Sequence, residues 1–104
     1  MNAPEEIVAT LSPMHPGEML REEFMVPLGL TPGKITRACH VPRTRIERIV
    51  REELGISADT ALRLGRFFGT TPEFWMNLQK RYELQTAEQQ ARDDLAGIME
   101  FDAA

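Results

Sequence analysis

One stretch, Thr31 to Glu53, constrains this chain more than any other. It carries two apolar stripes of helical period, each opened by a proline, with two residues between them. In TPGKITRAC, Ile35, Ala38 and Cys39 fall at i, i+3 and i+4 and define one buried face. Thr31 is an N-cap residue, and Pro32 takes the first helical position, where its missing N–H is no loss. In PRTRIERIVREE, Pro42 repeats that start, and Ile46, Ile49 and Val50 form the inward stripe. Arg43, Thr44, Glu47, Arg48 and Arg51 lie on the opposite side. Between the two stripes, His40-Val41 leaves room only for a tight turn. Such turns use a residue at positive φ, most often glycine, and His40 tolerates that conformation better than bulky residues do.

The remaining chain is organised in the same manner. A first helix is expected from about Gly17 to Val26, with Leu20 and Phe24 inward and Pro27-Gly29 stopping it. After the Pro42 helix, expected to run to about Glu53, Gly55 reads as a C-terminal cap and Ser57 as the next N-cap. A fourth helix, about Ser57 to Phe68, offers Ala61, Leu62, Leu64, Phe67 and Phe68, more apolar positions than one face can hold. Gly69 ends it. Thr71-Pro72 starts a fifth helix with Phe74, Trp75 and Leu78, expected to form core or dimer core and to run on past Tyr82 through QTAEQQARDD. No segment alternates as a half-buried strand does, so the fold class is all-α, five helices with an extended C-terminal helix. The expected division is residues 1–14 as a tail, with a short apolar anchor at Ile7, Val8 and Leu11, 15–84 as the domain and 85–104 as a helical extension or tail. Ile98, Met99 and Phe101 are apolar after a polar stretch, fitting either a frayed end or a docking segment.

The chain is net −4, yet its charge is divided. From Leu30 to Arg51 there are six positive residues (Lys34, Arg37, Arg43, Arg45, Arg48, Arg51) and one negative (Glu47), a net of +5. The rest carries six positive and fifteen negative, a net of −9. A basic segment on an acidic body is the footprint of a localised nucleic-acid contact. It also fits a solvated arginine-rich helix face, and charge alone does not separate the two. The helix pair adds the chemistry. In a helix-turn-helix, the N-terminal end of the second helix meets base edges in the major groove. Arg43, Thr44 and Arg45 stand there. Arginine matches guanine O6 and N7 bidentately, and threonine adds a hydroxyl bond or a methyl contact. Arg48 and Arg51, one and two turns on, would meet phosphate or further bases.

Other chemistries are poorly served. Cys39 with His40 and His15 fits no zinc spacing, so no metal and no cofactor is expected. Cys39 has no base and orienter beside it, and Asp93, Asp94 and Glu100 read as a solvated face, so no enzyme is expected. A single cysteine fits a reducing, cytoplasmic setting. MNAPEEIVATLSP has neither the basic nor the apolar region of a signal peptide, and no apolar run is long enough for a membrane span.

Several blocks in order resemble the HigA-type antitoxins, a branch of the lambda-repressor-like (Cro/CI, XRE) helix-turn-helix regulators. They are HPGEMLREEFMVPLGL, VPRTRIERIV, GISADTALRLGRFFGTTPEFWMNLQ and KRYEL, spanning His15 to Leu84. The resemblance implies a five-helix DNA-binding domain that forms a homodimer on a palindromic double-stranded DNA operator and represses its own operon. It also implies a protein partner, a HigB-type toxin of the RelE-like class that cleaves mRNA. By position, Arg43, Thr44, Arg45 and Arg48 would face bases, while Thr31, Lys34 and Arg37 would lie near phosphates. A stand-alone repressor, or an interaction module without operator binding, are the alternatives. Three departures bear on affinity: Pro32-Gly33 where relatives often have Ser-Gln, His40 where they have glycine, and Glu52-Glu53 where Gly-Lys or Gly-Arg often follows.

Overall fold

The computed structural model describes residues 12–102, so the expected Ile7, Val8 and Leu11 anchor lies outside the described residues. Every regular element among these residues is a helix, with no strand among them. Helix α1 covers 16–28 in three contiguous parts: an α-helical turn Pro16–Met19, a π-helical stretch Leu20–Met25, and Val26–Leu28. It is followed by α2 (Pro32–Cys39), α3 (Arg43–Val50), α4 (Ala58–Phe68), α5 (Pro72–Gln90) and a short α6 (Arg92–Ala96).

The starts follow from side chains. Thr31, Ser57 and Thr71 each accept a hydrogen bond from the N–H three residues on, capping α2, α4 and α5 as their sequence positions predict. α1 begins at His15, whose Nδ1 accepts from the Gly17 N–H at 2.9 Å. The stops follow from left-handed residues. Gly29 ends α1, His40 (φ 57°) ends α2 and Gly69 ends α4. At His40, the Val41 N–H reaches back to the Thr36 carbonyl at 3.2 Å, closing the turn between α2 and α3.

Five expectations are corrected. Pro27 does not stop α1: the π-helical stretch before it shifts the ladder to i→i+5 bonds, and the helix continues to Leu28. Pro42 is the N-cap of α3 rather than its first residue, and α3 ends at Val50, not near Glu53. Its left-handed stop is Glu52 (φ 63°), not Gly55; the Glu53 N–H bonds the Arg48 carbonyl at 2.8 Å. Ala38 is exposed, because α2 turns only Ile35 and Cys39 fully inward.

The core is one cluster: Leu20, Ile35, Ile46, Ile49, Ala61, Leu64 and Trp75 are fully buried, with Met25, Cys39, Val41 and Ile56 nearly so. Each large aliphatic of this set contributes about 1.5–3 kcal/mol by leaving water. Phe24, Phe68 and Phe74 pack around Trp75, and the Trp75 indole N–H donates to Thr70 Oγ1 at 2.8 Å. Of the apolar residues on α4, Ala61 and Leu64 face in, Phe68 is half-buried, and Leu62 and Phe67 are exposed. α4 against α5 is the largest helix–helix contact, α1 lies across α3 and α5, and α2 leans on α4. This frame leaves the outer face of α3 open. No described helix is long and apolar enough to cross a membrane.

Candidate nucleic-acid interface

α3 is fixed from behind and at its C-terminal end. Ile46 and Ile49 seat it in the core. At its C-terminal end, Arg21 of α1 donates from Nη1 to the Val50 carbonyl at 2.5 Å and from Nη2 to Glu52 Oε2 at 3.1 Å. That cation satisfies an orphan carbonyl at the negative end of the helix. Glu22 and Glu52 in turn hold the Arg21 guanidinium above its ordinary pKa. α1 also approaches closely at Gly17, where a side chain would meet the Ile49 carbonyl. Behind the loop that follows α3, the buried Gln79 of α5 accepts from the Ile56 N–H at 2.7 Å and donates to Glu83 at 2.7 Å. Gly55 leaves room for that amide: a Cβ there would stand 2.6 Å from Gln79 Oε1.

On the open face, Arg43, Thr44 and Arg48 are exposed, and Arg51 follows just beyond the helix, also exposed. Arg43 donates from Nε to Glu47 Oε2 at 3.0 Å, one turn along. Arg45 is half-buried and reaches across to α4, pairing with Asp59 at 2.6 Å. Asp59 also receives Arg63, and these two cations, Arg45 first, hold its carboxyl below the usual range. Arg63 continues to the carbonyls of Cys39 and His40 at 2.9 and 3.2 Å, covering the end of α2. On α2, Lys34 and Arg37 are exposed, and Thr31 spends its hydroxyl on the Lys34 N–H at 3.3 Å. Arg43, Thr44, Arg45 and Arg48 thus occupy one helix, with Thr31, Lys34, Arg37 and Arg51 on the helix before it and the residue after it. Phe74, Trp75 and Leu78 are elsewhere, against the core: Trp75 fully buried, the other two half-buried.

Sequence reasoning missed Arg21, Asp59, Arg63 and Gln79. The Asp59–Arg63 spacing is a readable i, i+4 helix pair, but its reach to Arg45 is a tertiary fact. Cys39 is buried, and desolvation pushes its thiol up, which suits a small core residue. Among the described residues no group of three His, Cys, Asp or Glu side chains could hold a metal ion.

No protein-family model matches the chain. Individual proteins do. Virulence-associated protein I of Dichelobacter nodosus is 53% identical over 76 residues, which is 73% of this chain and 70% of that protein. The structure of Pseudomonas aeruginosa antitoxin HigA with the higBA promoter superposes with a TM-score of 0.80 at 45% identity, covering 85% of this chain and 96% of the other. Antitoxin GraA in complex with its operator gives a TM-score of 0.82 at 46% identity, covering 90% and 95%. Identity at this level, across nearly the whole length of proteins of one fold, settles the relationship: the chain belongs to the HigA family of helix-turn-helix antitoxins.

Proposed function

We propose that this protein is an autoregulating antitoxin. As a homodimer, it binds a palindromic operator through α3, represses its own operon, and restrains a HigB/RelE-like toxin that cleaves mRNA. It acts in the cytoplasm, carries no catalytic step of its own, and divides into a reading domain, residues 15–84, with an extension over 85–104. The observation that carries the reading is the open face of α3: a helix locked at its back and C-terminal end, presenting Arg43, Thr44 and Arg48 outward. That relatives of the same fold, 45–46% identical, are described with promoter and operator DNA supports it. Arg43, Thr44, Arg45 and Arg48 contact bases; Thr31, Lys34, Arg37 and Arg51 contact phosphates. Two recognition helices in a dimer sit about 34 Å apart, one turn of DNA.

The alternative, an interaction module without operator binding, draws on Glu52-Glu53, of which Glu52 pairs with Arg21 and Glu53 stays exposed. A mobility shift on the protein's own upstream DNA is the test. A specific complex at low salt is expected, weakened about 1–3 kcal/mol by Arg43→Ala. A folded protein that shifts no DNA at low salt would refute operator binding. Co-expression with a basic protein of about one hundred residues from the adjacent reading frame, followed by copurification, tests the toxin partner; failure to copurify favours a stand-alone repressor.

A further inference from the structure

Arg45 differs from its neighbours on α3 in how it is held. Arg43 pairs within its own helix, and its side chain stays 70% exposed. Arg45, at 32%, crosses to another helix, donating from Nη1 to Asp59 Oδ2. Asp59 is not a loose surface carboxylate. Arg63 Nε contacts both of its oxygens, at 3.1 and 3.0 Å. Arg63 is itself anchored on main chain, at the Cys39 and His40 carbonyls. Asp59 also sits in the first turn of α4, whose start is set by Ser57 accepting from the Thr60 N–H at 3.2 Å. An unbroken chain of contacts therefore runs from the turn between α2 and α3, through α4, to one side chain at the N-terminal end of α3.

The donor count gives this chain a consequence. Asp59 takes Nη1, and the Nε/Nη2 edge of Arg45 makes no hydrogen bond among the described residues. That edge offers two parallel donors, the arrangement that matches O6 and N7 of guanine. An arginine already turned and fixed in plane gives up less rotamer freedom when it meets a base.

We propose that Asp59 is a positioning residue for DNA reading: it sets the Arg45 guanidinium for guanine and so raises base specificity without touching DNA. The inference rests on the reading of α3 as the recognition helix and of Arg45 as a base contact. A purely electrostatic role for Asp59 has the opposite sign. A carboxylate that merely repels phosphates would, when removed, strengthen binding to every sequence alike.

The test uses the full chain and fluorescence anisotropy on two labelled duplexes, the protein's own upstream sequence and a random sequence of equal length. Wild type, D59N, D59A, R45A and D59N/R45A are compared, with circular dichroism confirming helix content; D59N, nearly isosteric at an exposed site, carries the comparison if D59A loses helix. D59N is expected to lower the upstream-to-random affinity ratio roughly fivefold, and to lower it no further once Arg45 is gone. Tighter binding to both duplexes with an unchanged ratio overturns the proposal, as does an equal effect with and without Arg45. A ratio lost in R45A but kept in D59N overturns the role of Asp59 alone. A ratio unchanged in R45A overturns the base-contact reading, and this inference with it.

Discussion

Glu52 sits where two local preferences collide. Its φ of 63° is a conformation that glycine adopts freely and that costs other residues about 1 kcal/mol. Its carboxylate, however, completes the Arg21 clamp on α3. An exposed pair of that kind contributes about 0.2–1 kcal/mol, and Arg21 keeps the Val50 carbonyl without it. Strain relief therefore equals or exceeds the lost pair. Glu52→Gly is expected to match or exceed wild-type stability by up to about 0.5 kcal/mol, whereas Glu52→Ala, which keeps the strain and loses the pair, falls below it. Urea denaturation of the three proteins decides; equal midpoints for Gly and Ala would show that the backbone stores no strain there. His15 is the other residue with a price on its state. Burial lowers its pKa most, Glu52 raises it and Arg21 lowers it, and its ring packs edge-on to Tyr82. Its Nδ1 can cap Gly17 only while unprotonated. A group depressed in the fold binds more protons when unfolded, so its stability is full above the unfolded value of about 6.5 and is lost as pH falls through the folded one. Thermal midpoints should therefore drop by a few degrees between pH 7.5 and 5.5. His15→Asn, which caps without titrating, should flatten that slope; an identical slope in the variant would assign the drop elsewhere.

α1 and α3 cross in close contact, and Gly17 makes it possible. Alanine favours a helix over glycine by about 1 kcal/mol in isolation. At Gly17 the sign reverses, because the new Cβ would land on the Ile49 carbonyl, a main-chain atom that cannot swing aside. Gly17→Ala is expected to cost about 2–4 kcal/mol in chemical denaturation; a neutral or stabilising result would mean the two helices are free to part. The same helix shows what a sequence can convey. The starts at Thr31, Ser57 and Thr71 and the left-handed His40 were legible because each depends on one or two adjacent residues. The π-helical stretch was not: Leu20 and Met25 are both buried five residues apart, a spacing that no 3.6-residue pattern anticipates. The end of α3 was misplaced for a related reason, since a glutamate held by Arg21 took the role that composition assigned to Gly55. The basic face of α3 was readable from spacing, and so was Asp59–Arg63 as an i, i+4 pair, whereas the reach of Asp59 to Arg45 depends on helix packing and left no local mark.

The whole molecule is longer than its residue number requires. Its radius of gyration is 17.0 Å and its extents are 55 × 31 × 23 Å, against about 13 Å for a compact chain of this length. The far half of α5, α6 and the residues after it add length without core: Leu84, Leu95, Ile98, Met99 and Phe101 are all exposed. Trypsin is therefore expected to cut first after Arg92, leaving a fragment that keeps the core, and only later after Arg48 or Arg63. Early cleavage in α3 or α4 would contradict this order. If the far half of α5 docks on a second protomer, protection of Arg92 should rise with protein concentration. The two ends of α5 differ in kind. Trp75 is locked in the core, whereas the residues beyond Tyr82 have little beneath them. An unfolding machine pulling from beyond α5 thus meets little resistance until it has unwound back to Trp75, so the lifetime of the molecule under traction is set by the core around that one side chain, and the unsupported run serves only as a handle.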